Sequence, residues 1–129
     1  MKLLLGLVLV ASVSVATPAR ADPATVAKFL EWFDSFANIA VTYQTLCRKM
    51  GTDMTKSLDD NKALLADVDK AMTAGEELPE DAQQHMTDTA KRLATAVAVK
   101  CDKDYDVRMA LQRLPGRKHK SPPPVAPGH

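Results

Sequence analysis

The sequence is poor in the side chains on which most protein chemistry depends. It has two Cys and three His among 129 residues, and neither Cys lies in a Cys-x-x-Cys-His motif. Covalent haem attachment is therefore excluded. No Glu-x-x-His motif occurs either, which excludes a di-iron centre of the ferritin type. We expect no cofactor.

Motifs for zinc and for nucleophilic catalysis are equally missing, since the sequence has no His-x-x-x-His and no Gly-x-Ser-x-Gly. His85 is the only His inside the predicted folded part and is interpreted as a surface side chain. Residues 102–106 have the acidic spacing of a calcium loop, but Val107 and Arg113 stand where Gly and Glu are required. We interpret Asp104 instead as the N-cap of a helix. No metal site is expected.

Neither sign of charge dominates, because the sequence has 17 Lys and Arg residues and 16 Asp and Glu residues. All the carboxylates lie in residues 22–112, whereas cations are concentrated near the C-terminus. The C-terminal cations are Arg113, Arg117, Lys118 and Lys120. An acidic body with a basic tail lacks the even basic face of a nucleic-acid-binding domain. We therefore expect no nucleic-acid partner.

The one long apolar run lies at the N-terminus and predicts a signal peptide over residues 1–21. Lys2 precedes apolar residues 3–15, and Ala19-Arg20-Ala21 is a small-x-small cleavage site. At about 13 residues the run is shorter than the ~20 that a membrane-spanning helix needs. We expect cleavage after Ala21 and a soluble protein that is periplasmic or secreted.

The richest apolar pattern lies in residues 23–50 and predicts the central helix of a small bundle. All three Phe and the only Trp lie there. Two neighbouring heptad series cover more than about 100° of the helix surface, which is more than one partner helix buries. Asp22 and Pro23 are suitable N-cap and N1 residues, and Gly51 is expected to end the helix.

One edge of this helix is a candidate surface for a partner. The side chains of Trp32, Ile39 and Leu46 repeat at heptad spacing. If three helices leave this edge uncovered, it offers an apolar strip to a partner protein, a lipid or a second copy. In the alternative interpretation the fourth helix covers the strip.

Three further helices are predicted to follow. The second runs from residue 52 or 53 to about 74, the third over 79–100, and a short fourth over 105–114. Gly75 suits the C′ position of the second helix, and Pro79 suits the first turn of the third. The folded domain is thus expected to span residues 22–114.

Cys47 and Cys101 are predicted to form a disulfide, because an even pair of cysteines in an exported chain is usually oxidised. Short links make successive helices antiparallel, so the first and third helices run parallel and end together. One Cys lies near each of these two ends. The predicted fold is an all-α, up-down bundle of three long helices plus a short C-terminal helix, with one disulfide.

Residues 115–129 are predicted to be a disordered, basic, Pro-rich tail. Arg117, Lys118 and Lys120 lie within four positions and precede three consecutive Pro residues. At about 1 kcal/mol for each cation near a charged membrane, they would give only a weak contact with an anionic surface.

The sequence therefore favours an exported, non-catalytic binding or interaction module whose partner is a protein or a component of the cell envelope. The alternative is a small helical envelope enzyme that uses Arg, Lys and Glu side chains without a cofactor. Arg48, Lys49, Lys91 and Arg92 are the basic residues available to such a site.

Overall fold

The computed structural model describes residues 20–116, and these residues form five helices. The helices are α1 Pro23–Thr42, α2 Cys47–Asp60, α3 Lys62–Thr73, α4 Glu80–Lys100 and α5 Tyr105–Gln112. No strand occurs within residues 20–116, where an isolated bridge joins Arg20 to Glu77. The predicted all-α class and the disulfide between Cys47 and Cys101 are both confirmed.

The long first helix predicted for residues 23–50 is divided in two. α1 ends at Thr42 and, after a short turn, α2 begins at Cys47. Trp32 Nε1 donates a hydrogen bond to Ser57 Oγ at 2.9 Å. An unbroken helix would separate these two positions by about 38 Å. The turn therefore folds α2 back along α1, which brings the apolar side chains of α2 to the aromatic side chains of α1.

Gly51 does not end a helix, as the sequence predicts, but lies buried within α2. A Cβ atom at this position would lie 2.7 Å from Asp106 Cβ and 3.3 Å from the backbone nitrogen of Val107. Such a distance is too short for two carbon atoms, so α5 can pack this closely on α2 only because residue 51 has no side chain. The glycine marks a close approach of two helices.

The second predicted helix, residues 52–74, is also divided, at Asn61. Asn61 Nδ2 donates a hydrogen bond to the Ser57 carbonyl at 2.8 Å. In a continuous helix the backbone N–H of Asn61 would use that acceptor. The N–H instead contacts the Leu58 carbonyl at 3.3 Å. The structure thus has five helices where the sequence predicts three long helices and a short one.

α1 and α4 lie side by side and run in the same direction. His85 of α4 contacts Asp34 of α1. Arg92, two turns after His85, donates a hydrogen bond to Asn38, one turn after Asp34. At the end where both helices terminate, the disulfide joins Cys47, the first residue of α2, to Cys101, with 5.2 Å between the two Cα atoms. The up-down order of the whole bundle stays a prediction.

The core forms around the aromatic side chains of α1. Phe29, Trp32, Phe33 and Phe36 are buried, and the ring centroids in contact are 4.9–6.2 Å apart. Burying one Phe side chain contributes about 1.5–3 kcal/mol relative to leaving it exposed. The other large, fully buried side chains are Met50, Met54, Leu58, Cys101 and Val107. No helix within residues 20–116 is long and apolar enough to cross a membrane.

Candidate functional site

The predicted strip of Trp32, Ile39 and Leu46 does not form one exposed surface. Trp32 lies in the core, Ile39 is half-buried, and Leu46 is 57 % exposed in the turn after α1. α2 covers the Trp32 edge through the hydrogen bond to Ser57. α5, which the sequence offered as the cover, packs against α2 instead. Trp32, Ile39 and Leu46 therefore do not form the exposed strip of the first interpretation; the Trp32 edge is covered, as in the alternative interpretation, but by α2.

The other predicted sites lie far apart along the chain. The disulfide closes the end of the molecule where α1 and α4 terminate. Arg117, Lys118 and Lys120, the predicted contacts to an anionic surface, lie outside the described residues. Residues 1–19 of the predicted signal peptide also lie outside them.

A cleft lies at the opposite end of the molecule, where α3 turns into α4. α3 ends in a Schellman motif, in which the Gly75 N–H bonds to the Met72 carbonyl at 3.0 Å and the Glu76 N–H to the Ala71 carbonyl at 3.1 Å. Gly75 has a φ of +77°, a conformation that glycine adopts without strain. The expected C′ role of Gly75 is confirmed, and the motif turns the chain back towards the start of α1.

The start of α1 forms the second wall of the cleft. Asp22 is its N-cap, and Asp22 Oδ2 accepts hydrogen bonds from the Thr25 N–H at 3.1 Å and from Thr25 Oγ1 at 3.0 Å. The Ala21 N–H donates to the Glu77 carbonyl at 3.1 Å. These bonds hold the first turn of α1 beside the link between α3 and α4.

The cleft has a volume of about 280 Å³ and largely apolar walls. Its apolar side chains come from α1, α3, α4 and the link between α3 and α4. They are Val26, Phe29, Val68, Ala71, Met72, Leu78 and Met86. Clefts of a few hundred Å³ with apolar walls and a few polar groups are typical of sites for small ligands.

The charged residues that line the cleft are exposed or half-buried, and we call them its rim; they carry more negative than positive charge. Three carboxylates, those of Asp22, Asp67 and Glu76, face one ammonium group, that of Lys70. Within residues 20–116, no ion pair shorter than 4.0 Å involves Asp67, Glu76 or Lys70. The carboxylates of Asp67 and Glu76 are therefore available to a ligand.

A second, more open cleft adjoins the first on the other side of residues 20–22. It is about 720 Å³ in volume and is lined in part by Leu30, Ala82 and His85. Residues 20–22 line this cleft, and Ala21 and Asp22 line both. The start of the described chain is thus the partition between the two clefts.

His85 is exposed, as the sequence predicts, and it also belongs to a polar cluster between α1 and α4. Asp34 accepts hydrogen bonds from His85 Nε2 at 2.9 Å and from Thr89 Oγ1 at 2.7 Å, and Arg92 lies 3.7 Å away. Partial burial raises the pKa of Asp34, but the hydrogen bonds from Thr89 and His85 and the charges of His85 and Arg92 outweigh it. The pKa of Asp34 is therefore lowered from its ordinary value.

The geometry of this cluster differs from that of a nucleophilic site. A catalytic imidazole contacts the nucleophilic hydroxyl on one side and a carboxylate on the other. Here the Thr89 hydroxyl and the His85 imidazole both bond to the same carboxylate, that of Asp34. The cluster joins α1 to α4 and lacks the hydroxyl–imidazole–carboxylate order of a catalytic triad.

The basic residues considered for an enzyme do not converge on one site. Lys49 pairs with Asp53 one turn further along α2, and its ammonium lies 5.5 Å from the centre of the Tyr43 ring. Lys91 and Arg92 line a shallow cleft to which no carboxylate contributes. Arg48 lines none of the clefts described here and is exposed.

The acidic segment at residues 102–106 marks the start of α5. Asp104 is the N-cap of α5, and its Oδ1 accepts a hydrogen bond from the Val107 N–H at 3.0 Å. Asp106 lies in the first turn of α5, where a negative charge is favourable. Within residues 20–116 no group of three or more potential ligands is arranged to hold a metal ion.

Comparison of the chain with models of protein families, with curated proteins and with solved structures finds no match. The functional features therefore have to be argued from the structure. Sequence reasoning missed both the cleft and the contact of Asp34 with His85, which are 51 positions apart. The usable signals were Gly75 and Pro79, which fix where α3 and α4 meet, but they do not reveal which side chains of α1 lie opposite.

Proposed function

We propose that this chain is an exported, non-catalytic binding module whose cleft between α1, α3 and α4 holds an apolar group. The single observation that carries this proposal is the separation of polarity in the cleft. Its walls are apolar, and its charged side chains lie at the rim. Such an arrangement holds an apolar group inside and orients a polar group at the opening.

Export is part of the same proposal, as are the up-down order of the bundle and a weak contact of Arg117, Lys118 and Lys120 with an anionic surface. The disulfide is compatible with an oxidising compartment. Cleavage after Ala21 would remove Arg20 and Ala21, together with the Ala21 hydrogen bond to Glu77. Of the residues that line the apolar cleft, Ala21 alone would be lost, and Asp22 would remain between the two clefts.

The alternative of a small enzyme gains less support, because Lys70 is the one basic side chain that lines the cleft and the basic residues considered for an active site do not line it. It requires basic and acidic side chains at one concave site. Lys91 and Arg92 lie towards the disulfide end, whereas Asp67 and Glu76 lie at the cleft. The binding module is therefore the better interpretation.

The test is a titration of the mature chain, residues 22–129, with prodan, a small neutral naphthalene dye that fluoresces strongly in apolar sites. We expect saturable binding at one site. Ala71→Phe should fill the cleft and weaken binding by about tenfold or more. Ala63→Phe is the matched control, since Ala63 is exposed on the same helix and lines none of the clefts.

Circular dichroism establishes that both variants keep the helical content of the parent chain. If prodan does not bind, or if both Phe variants bind it as the parent chain does, the cleft is not a binding site. Equal weakening by the two variants would also contradict the proposal, because Ala63 has no contact with the cleft.

A further inference from the structure

We propose that the ligand of this cleft is a cationic amphiphile, with a short apolar chain inside and an ammonium or guanidinium group at the rim. This inference rests on the proposed function and adds the charge and the size of the ligand. It follows from three observations: the charge of the rim, the occupation of the helix N-termini and the volume of the cleft.

The rim favours a cation because its carboxylates outnumber its ammonium groups. Asp67 and Glu76 have no ion-pair partner within residues 20–116, and Lys70 is the only cation among the residues that line the cleft. Cleavage after Ala21 would place an α-ammonium group on Asp22. Even then three carboxylates would face two cations. A cationic head group is therefore attracted at this opening, and an anionic one is repelled.

The helix N-termini near the cleft do not offer a site for an anion. A helix N-terminus attracts anions through its free N–H groups. At α1 the Asp22 carboxylate accepts from the Thr25 N–H, and at α4 the Asp81 carboxylate accepts from the Ala82 N–H at 3.0 Å. Glu80 adds a further negative charge to the first turn of α4. At both N-termini the carboxylates of the chain itself therefore already provide the negative charge that an anionic ligand would bring.

The helix dipole of α3 also favours a cation at the cleft. Its C-terminal turn borders the cleft through Ala71 and Met72, and the C-terminus of a helix carries partial negative charge. The Schellman motif satisfies some of the carbonyl groups, but it does not reverse the sign of the field. A cation beside the last turn of α3 is therefore favoured.

The volume limits the size of the apolar group. A cleft of about 280 Å³ lies at the lower end of the range for small ligands. It suits one short alkyl chain or one small ring system rather than a lipid with two acyl chains. Phe29 and Met86 provide a flat ring and a flexible thioether against which such a group packs.

The experiment compares three detergents with the same eight-carbon chain and different head groups, each below the concentration at which it forms micelles. These are octyltrimethylammonium, octyl glucoside and octyl sulfate, titrated calorimetrically into the mature chain. We expect the cation to bind about tenfold more tightly than the sulfate, with the neutral glucoside between them. Raising the salt concentration should reduce this difference.

The double variant Asp67→Asn with Glu76→Gln should bring the affinities of the cation and the sulfate to within about threefold of each other. The double variant Asp88→Asn with Asp102→Asn is the matched control. It makes the same change in net charge with residues that are exposed and do not line the cleft. Its preference for the cation should equal that of the parent chain.

Equal affinity for the three head groups, or tighter binding of the sulfate, would overturn the inference about charge and leave the proposed binding function intact. A loss of preference in the control variant would show that net charge, not the rim, selects the ligand, and would also overturn it. If none of the three detergents bound and prodan did not bind, the proposed function itself would fail.

Discussion

Near the ends of α1 and α4 a disulfide joins Cys47, the first residue of α2, to Cys101, whereas at the end where α1 and α4 begin the described contacts are hydrogen bonds and packing. The disulfide end also has α5 packed on α2 without any intervening side chain at Gly51. The cleft end has unpaired carboxylates and an apolar opening. The cross-link and the proposed ligand site thus lie at different ends of the molecule.

The two ends also differ in which side chains face solvent. Within residues 20–116 five large apolar side chains are exposed, and none of them lines the apolar cleft: Val41, Leu46, Val99, Tyr105 and Met109. At the cleft end the apolar side chains line a concave surface and the exposed groups are mostly carboxylates. A small ligand is bound by a concave surface, so these five exposed side chains do not form an equivalent site.

The largest effect is expected from removing the disulfide. Cys47→Ala with Cys101→Ala should lower the free energy of unfolding by about 4 kcal/mol, because the cross-link restricts the unfolded chain. Urea denaturation of the oxidised parent and the variant measures the difference. Thiol titration of the denatured, unreduced parent should give no free thiol. Two thiols per chain, or a loss of stability below about 1 kcal/mol, would contradict the role assigned to this end.

Substitutions of Gly51 and Gly75, which lie at opposite ends of the molecule, should affect different helices. Gly51→Ala gains up to about 1 kcal/mol of helix propensity but has to accommodate a Cβ 2.7 Å from Asp106 Cβ, at an overpacking cost of about 1–3 kcal/mol. We expect a net loss of stability and faster hydrogen exchange in α5. Gly75→Ala meets no atom within 4 Å, and its φ of +77° should cost about 1–2 kcal/mol.

Hydrogen exchange should assign the two effects to different ends. The Gly75 variant should exchange faster at the end of α3 and the start of α4, with α5 unchanged. Faster exchange in the same helices for both variants would mean that the two ends are not independent.

These two glycines also show what the sequence reveals and what it does not. Gly75 follows a helix and precedes a proline, so local rules identified its role. Gly51 follows an apolar series and has the same local appearance, but its role depends on α5, about 55 positions away in sequence. Local patterns predict helix ends well only where the chain itself, and no distant contact, determines the conformation.

The two breaks in the predicted helices were missed for a related reason. α1 and α2 contribute apolar side chains to the same core, so the heptad series continues through the turn after Thr42. Hydrophobic periodicity therefore does not reveal that the chain reverses direction there. At Asn61 one side-chain hydrogen bond replaces a backbone bond, a competition that periodicity does not report. The cleft depends on three helices meeting in space, and the periodicity of one helix does not report which side chains of another helix lie opposite.

A smaller effect is expected from Asp34, which joins α1 to α4 midway between the two ends. Its pKa is lowered in the folded chain, so its stabilising contribution is present above the unfolded pKa of about 3.9 and is lost as the pH falls through the folded pKa. Because the side chain is 37 % exposed, Asp34→Asn should cost less than about 1 kcal/mol at pH 7.

Thermal unfolding of the parent and of Asp34→Asn between pH 7 and pH 3 checks this expectation. The difference between the two chains should shrink as the pH falls below about 4. A difference that grows on acidification would reverse the sign and contradict the role of the carboxylate.

The smallest effect concerns Arg117, Lys118 and Lys120. At about 1 kcal/mol each, these cations should give weak co-sedimentation of the mature chain with anionic vesicles. Binding should fade above physiological salt, where the Debye length falls below about 8 Å. The triple Ala variant should pellet less. Equal pelleting of the two chains, or pelleting that salt does not change, would remove the proposed surface contact.

The most direct test of ligand binding at the cleft is a titration of the ¹⁵N-labelled mature chain with octyltrimethylammonium, followed by amide chemical shifts. We expect saturable shifts in residues that line the cleft, namely the first turns of α1, the last turn of α3 and the link to α4. Amides near the disulfide should not move. Shifts centred on Leu46, Val99 and Tyr105, or no saturable shifts at all, would contradict the assignment of ligand binding to the cleft end.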